Sequence, residues 1–358
     1  MSRMFIPGPV ELSDATREQA GRQMLSHRGD WFKQSLASLR ESMAIVIGAD
    51  VPVQVITGSG TAGVEFLAAN CISPGDRVAC LSNGKFGRRF AEIAGIYSQG
   101  VKLFDAEAGN VLPLNVAVEA AVEASESAGV DVVTVVANET STGVLNDVAA
   151  VRKAFPEALL LVDAVSALGN SFSMRELEAD GVATASHKAL AAPPGLAFAC
   201  LSPRGVEKAL AKTGVPFYFD FKKYRAAALK GETPFTPAES IVFAAEFRAK
   251  QIVAEGVDAF VARHASNAEF VRARVAELGL TLFPRGGAVP SNVVTAIEHT
   301  RASEVVAGMR EAGFIIAGGQ DGLKGRIFRL AHMGETTRAE LVELLDALDG
   351  VVSRLGRA

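Results

Sequence analysis

Residues 158–169 read ALLLVDAVSALG. From Ala158 to Val162 the run is apolar without a break. A strand with one solvated face alternates apolar and polar residues, whereas a strand covered on both faces does not. The run is also short for a helix. It therefore reads as a buried parallel strand, and it stops at an acid, Asp163. A carboxylate at the carboxyl tip of such a strand points into the crevice where open α/β sheets bind ligands. A buried anion needs a partner. A backbone N–H or an arginine would serve, and so would the cationic nitrogen of a heterocycle.

The same texture recurs outward from this stretch. VQVIT (53–57), RVACLS (77–82), VKLF (101–104), VDVVTVVA (130–137), GVATAS (181–186) and LAFACLS (196–202) read as further buried strands. Amphipathic stretches such as GVEFLAANC (63–71) and LNVAVEAAVEASESAG (114–129) lie between some of them. Strands alternating with helices predict a parallel sheet covered on both faces. The order changes near residue 215. A loop-rich connection, FYFDFKKYRAAALKGETPFTPAES (217–240), leads to a long helical pattern ending near Glu255. Beyond Gly256, LTLF, SNVVTAIE and RIFRLAH read as strands, with helices at ASEVVAGMREAG and RAELVELLDALDGVV. This is a smaller α+β domain. The expected division is an N-terminal segment 1–20, a large domain 21–250 and a small C-terminal domain 251–358.

Composition narrows the function classes. Of 358 residues 49% are apolar and 21% charged, enough for a sizeable core. A net charge of −4, with no basic patch interleaved with aromatics, argues against nucleic acid as a partner. Three cysteines, Cys71, Cys80 and Cys200, lack metal-ligand spacing and are too few for a disulfide scaffold. They predict buried thiols in a reducing compartment. No run approaches transmembrane length, and neither end reads as a secretion or lipidation signal. The expectation is a cytoplasmic protein with no membrane and no metal.

Three further motifs carry chemistry. In VQVITGSGTAGVEFLA, a strand enters Gly58, Ser59, Gly60 and Thr61 and then a helix, a ready anion site made of free N–H groups, the helix dipole and hydroxyls. The G-x-G-x-x-G spacing also fits a dinucleotide, but the next strand ends Leu81–Ser82–Asn83, without the acid a ribose needs. A phosphate site fits better; a tight turn without ligand is the bland alternative. In ANETSTGVLND, hydroxyls follow Asn138 and Glu139, and a capped turn explains them as well. In TASHKALAAPPG (184–195), Lys188 has no charged company. An apolar setting pushes its amine towards the neutral, nucleophilic form, unless the side chain snorkels to water. A phosphate cradle, a hydroxyl cluster, an acid and an apolar lysine at strand ends are together what pyridoxal phosphate requires.

The chain resembles the class V, fold-type I pyridoxal-phosphate aminotransferases, near the alanine–glyoxylate and serine–glyoxylate enzymes. The likeness runs through PGPVELS, SHRGDWF, TGSGTAGVE, NGKFGRR, NETSTGV, VDAVSALG, SHKALAAPPGL, TPFTPA and FRLAHMG. It implies a large domain with a mostly parallel seven-stranded sheet and pyridoxal 5′-phosphate as cofactor. By this resemblance Lys188 is the catalytic residue, binding the cofactor aldehyde covalently and moving protons. Asp163 pairs with the pyridine nitrogen. Ser59, Gly60 and Thr61 hold the phosphate. Phe86 stacks on one ring face, Val165 packs on the other, and Thr140 bonds the phenolic oxygen. Thr236 reaches the phosphate of the neighbouring subunit in a homodimer with shared sites. Arg329 grips the substrate carboxylate, and the backbone around Gly8 lines the substrate pocket.

The chain departs from the family pattern in three places. His187 stands where relatives often carry glutamine; it could donate to the phosphate, charge near neutral pH, or simply pack. Phe86 replaces a tryptophan, and Thr233 replaces a tyrosine. The implied reaction is a ping-pong transfer from alanine or serine to glyoxylate or another small 2-oxo acid. Aspartate or an aminophosphonate is the alternative donor. Arg28 could hold a second carboxylate, with Asp30 as competitor. A cysteine-desulfurase-like lyase would need a late, mobile cysteine, and Cys200 lies in a predicted strand. A subunit that keeps the cofactor without turnover is the remaining class.

Overall fold

The structure is a computed structural model that describes residues 2–123 and 129–356. All seven apolar runs form one sheet. Its order is Gln54–Thr57, Leu196–Leu201, Gly181–Ala185, Leu159–Asp163, Val132–Val136, Arg77–Ser82 and Gly100–Asp105. Only Leu196–Leu201 runs against its neighbours; the other pairings are parallel. The missing alternation now has its cause. Along each strand one set of side chains (Val55, Leu81, Val133, Val135, Leu160, Val162, Val182, Phe198) enters the core under the helices Asp30–Ile47 and Glu239–Glu255. The other set (Ile56, Val78, Cys80, Val132, Leu161, Ala183, Ala197) packs under the helices Gly60–Cys71 and Lys85–Tyr97. Both faces of these strands are dry, so both parities must be apolar; the edge strand Gly100–Asp105 is the exception, buried only at Phe104 and exposed at Lys102 and Leu103.

The second sheet has five strands in the order Arg3–Phe5, Phe314–Gly318, Ile327–Ala331, Val294–Glu298 and Thr281–Leu282. Two of these were not expected from pattern alone. Arg3–Phe5 joins the small sheet by pairing with Phe314–Ile316, 311 residues away in register (314 − 3). That pairing is a tertiary event that a three-residue run cannot announce. Helices Val257–Glu277, Ala302–Glu311 and Arg338–Leu355 cover this sheet, and Thr337 with Glu340 forms a capping box at the start of the last one. The helix expected over 114–129 is present as Leu114–Glu123; residues 124–128 of that expectation lie outside the described residues. No helix among the described residues is long and apolar enough to cross a membrane.

Candidate active site

Five strands of the large sheet deliver their carboxyl ends to one cleft. Gln54–Thr57 leads into Ser59 and Gly60, and Arg77–Ser82 into Phe86. Val132–Val136 leads into Asn138 and Thr140, Leu159–Asp163 ends in the acid itself, and Gly181–Ala185 leads into His187 and Lys188. Parallel strands put all their carboxyl ends on the same edge, which is why residues 59 to 188 meet.

Ser59 stands at the N-cap position of the helix Gly60–Cys71 without a side-chain capping bond; Ala62 N–H donates to the Ser59 carbonyl at 2.9 Å, and the N–H groups of Gly60 and Thr61 have no carbonyl within the helix to bond. The turn has no room for a side chain: a Cβ on Gly60 would lie 2.7 Å from both methyls of Val165. Val165 is thereby pressed over the cradle. Thr61 lines the same end.

Asp163 is buried and accepts a hydrogen bond from the Val165 N–H at 2.9 Å on Oδ1. Burial pushes its carboxyl up to about 6; the Val165 N–H and the cations Arg89 and Lys188 restrain the rise, and Glu139 adds to it. Burial likewise pushes the Lys188 amine down to about 8, opposed by Asp163 and assisted by Arg329 and Arg89. The Lys188 Nζ donates to the Pro7 carbonyl. Gly8 lies against the lysine: a Cβ there would meet Lys188 Cδ and Nζ at 2.7 Å, and its φ of +108° suits only glycine. The N-terminal segment thus forms a wall of the lysine's pocket.

His187 lines the cleft with its Nδ1 buried and unpartnered, and burial, then Lys188, pushes it down to about 4. The expected change of charge near neutral pH gives way to a neutral imidazole across that range. Thr140 is the one member of its hydroxyl row that lines the cleft. Ser141 Oγ donates to Glu139 at 2.5 Å, and Thr142 Oγ1 to the Glu139 carbonyl at 3.3 Å.

Arg329 is buried on the strand Ile327–Ala331 of the small sheet and reaches across to the turn at Thr140. Its Nη1 donates to the Thr140 carbonyl at 2.9 Å; Nε and Nη2 donate to Gly318 O at 3.2 and 2.6 Å. It has no ion pair among the described residues. A guanidinium has five N–H donors, so five less three leaves two, the number a carboxylate accepts from a fork. Burial pushes its pKa down to about 10, which still leaves it charged.

Three residues considered from the sequence lie outside this chain's own cleft. Thr236 is exposed and outside this cleft, although Ala238 N–H donates to Thr57 Oγ1 at 3.3 Å beside the cradle. Thr233 is buried and bonds the Phe235 carbonyl at 2.8 Å. Arg28 pairs with Glu232 at 2.5 Å rather than with Asp30, because the loop 231–238 folds back over it. Two residues went unread in the sequence. Glu139 is buried and takes the N–H groups of Phe86 at 2.9 Å and Gly87 at 3.1 Å, capping the helix Lys85–Tyr97 from another strand. Its signal was an acid inside an otherwise uncharged run. Arg89 lines the cleft as well.

The donor set suits the group the sequence implied: an N–H cradle too tight for a Cβ, an acid with one oxygen unbonded, and a depressed amine. The profile of the aminotransferase class-V family matches residues 11–342. The chain is a class V aminotransferase. Its fold is fold-type I and its cofactor is pyridoxal phosphate. The enzyme is 34% identical over 360 residues to the small subunit of a soluble hydrogenase from Synechococcus sp. (strain PCC 6716), covering 99% of this chain and 93% of that one. It is 30% identical to L-aspartate–glyoxylate aminotransferase from Paracoccus denitrificans, covering 99% and 91%. Among solved structures, the aspartate aminotransferase of subgroup IV from Thermus thermophilus superposes with a TM-score of 0.90 at 29% identity, covering 99% of this chain and 100% of that one. In this class V aminotransferase the three cysteines are all buried and unpaired, with thiols pushed up to about 11 or 12 by burial. Cys200 lies in the fully buried strand Leu196–Leu201 and not on a loop.

Proposed function

We propose that this aminotransferase moves the amino group of alanine or serine to glyoxylate or another small 2-oxo acid by a ping-pong cycle. The observation that carries the reading is Arg329, a buried guanidinium held by carbonyls alone, with two N–H groups left for one carboxylate. When bound, pyridoxal phosphate supplies an aldehyde for the amine and a protonated ring that accepts electrons from the substrate Cα. Lys188 would hold the aldehyde, and once released its Nζ would carry the proton from the substrate Cα to the cofactor carbon that bore the aldehyde. An amine near pKa 8 is partly neutral at neutral pH and can do both. Asp163 would keep the ring nitrogen protonated. Ser59, Gly60 and Thr61 would cradle the phosphate, with His187 as a neutral donor to it. Phe86 and Val165 would clamp the ring, and Thr140 would bond its phenolic oxygen. Gly8 leaves space for the substrate beside the lysine.

The enzyme acts as a homodimer in the cytoplasm, with Thr236 reaching the phosphate of the partner subunit. The exposed Thr236 and the exposed aromatics Phe217 and Tyr218 nearby support the shared site. A second reading, aspartate as donor, is favoured by the names of the Paracoccus and Thermus relatives. Against it, Arg28 is occupied by Glu232. A half-reaction screen separates the two. The holoenzyme is mixed with each amino acid and loss of its yellow colour is followed. Alanine or serine should bleach it fastest; equal bleaching by aspartate, with good use of 2-oxoglutarate, would overturn the donor assignment.

A further inference from the structure

NGKFGRR puts two arginines side by side, and the fold sends them apart. Arg88 pairs with Asp105 at 2.8 Å, on the outer side of the helix Lys85–Tyr97. Arg89 turns into the cleft. Its Nη1 donates to Thr61 Oγ1 at 3.3 Å, and its guanidinium carbon lies 4.8 Å from the centre of the Phe86 ring. It has no ion pair among the described residues. A planar cation is thus held by one hydroxyl of the cradle and one aromatic face, with most of its N–H groups unengaged.

A phosphate monoester is largely dianionic near neutral pH, and the cradle meets it with N–H groups and half a unit of dipole charge. The other cleft-lining side chains add little positive charge there. His187 is neutral, since burial and Lys188 push it down to about 4. Lys188 is committed to the aldehyde at the other end of the cofactor. Asp163 is negative when ionised. We propose that Arg89 is the side chain that neutralises the cofactor phosphate in the Ser59–Thr61 cradle. It binds the phosphate with its fork while its stem and flat face steady Phe86. Arginine suits the task because its geometry matches phosphate oxygens in pairs.

This inference rests on the pyridoxal-phosphate reading, and its test separates the two. Apoenzyme is titrated by equilibrium dialysis with pyridoxal phosphate and with pyridoxal, which has the same aldehyde and ring but no phosphate. Arg89→Gln should weaken pyridoxal phosphate by at least about tenfold and change pyridoxal by less than about twofold. Arg89→Met keeps the apolar stem against Phe86 and should give the same split; it carries the test if the glutamine variant does not fold. Unchanged affinity for pyridoxal phosphate would overturn the proposal. So would equal weakening of both compounds, which would place the effect on the ring platform. A wild-type chain that binds neither compound would instead sink the cofactor assignment, and this inference with it.

Discussion

Asp163 and Glu139 are two buried acids at the ends of adjacent strands; Val136 pairs with Asp163 in register, three residues before Glu139. Burial pushes both carboxyls upward. Their surroundings differ. Glu139 accepts from Phe86 N–H, Gly87 N–H, Ser141 N–H and Ser141 Oγ, so the protein itself satisfies it. Asp163 accepts one bond, from Val165 N–H, and its second oxygen has no hydrogen-bond partner among the described residues. A buried acid with its lone pairs filled is part of the framework. One left wanting a partner is where a ligand cation gains most.

The severest break tests the chemistry itself. Lys188→Ala should cut the half-reaction with the best donor by about 10⁴-fold, the upper range for a lost general acid–base. Borohydride reduction of wild type followed by peptide mapping should leave the pyridoxyl label on Lys188. A label on Lys85 or Lys324 would end the assignment.

Next in size is a pH effect on the cofactor-free enzyme. The folded-state pKa of Asp163 is raised from 3.8 to about 6, so between those values the folded chain holds more proton than the unfolded one. Stability therefore falls as pH rises through this window, by about 3 kcal/mol at most for this one group. Urea unfolding of the apoenzyme at pH 4.5 and 7 should show Asp163→Asn relieving that loss. Binding a pyridinium cation should reverse the sign of the Asp163 contribution. Identical pH slopes in wild type and variant would remove Asp163 from the account.

The two acids can then be compared by like substitution. Asp163→Asn should keep the fold and the cofactor but lose about 10²-fold in proton abstraction from the substrate Cα. Glu139→Gln should cost about 1–3 kcal/mol of stability, because N–H donors lose a charged acceptor, and should slow the same step far less. Equal kinetic losses in both variants would erase the distinction. The smallest effect belongs to Arg329→Leu, which should leave cofactor affinity intact and lower the specificity constant by about tenfold or more, or 1.4 kcal/mol. An unharmed variant would mean that its two remaining N–H groups meet no substrate.

Most of the large sheet was legible because its signal is local. A strand buried on both faces reads as a near-continuous apolar run, and all but the exposed edge strand Gly100–Asp105 carry that mark within four to eight residues. The cradle at Ser59–Gly60–Thr61 and the isolated Lys188 announced themselves in the same way. Arg3–Phe5 did not, since nothing in three residues tells of a pairing with Phe314–Ile316. The hydroxyl row after Asn138 was ambiguous for a related reason. A capped turn accounts for two of its hydroxyls, which are drawn to Glu139 at the start of the helix Lys85–Tyr97, and residue types alone did not say which of the three stays clear.

By itself, then, the sequence determined the layered α/β architecture and the family, and it named candidate positions for an anion, a ring nitrogen and an aldehyde. These depend on side-chain type and near neighbours along the chain. Tertiary structure decided which polar groups remain free. Arg28 is taken by Glu232, Arg88 by Asp105 and Glu139 by a helix start, while Arg329 keeps two donors, Arg89 turns inward and Gly8 lies against Lys188. Whether a charge is available depends on what lies within about 3 Å of it. In a fold that joins residue 8 to 188 and 140 to 329, those neighbours are set by packing and not by order along the chain.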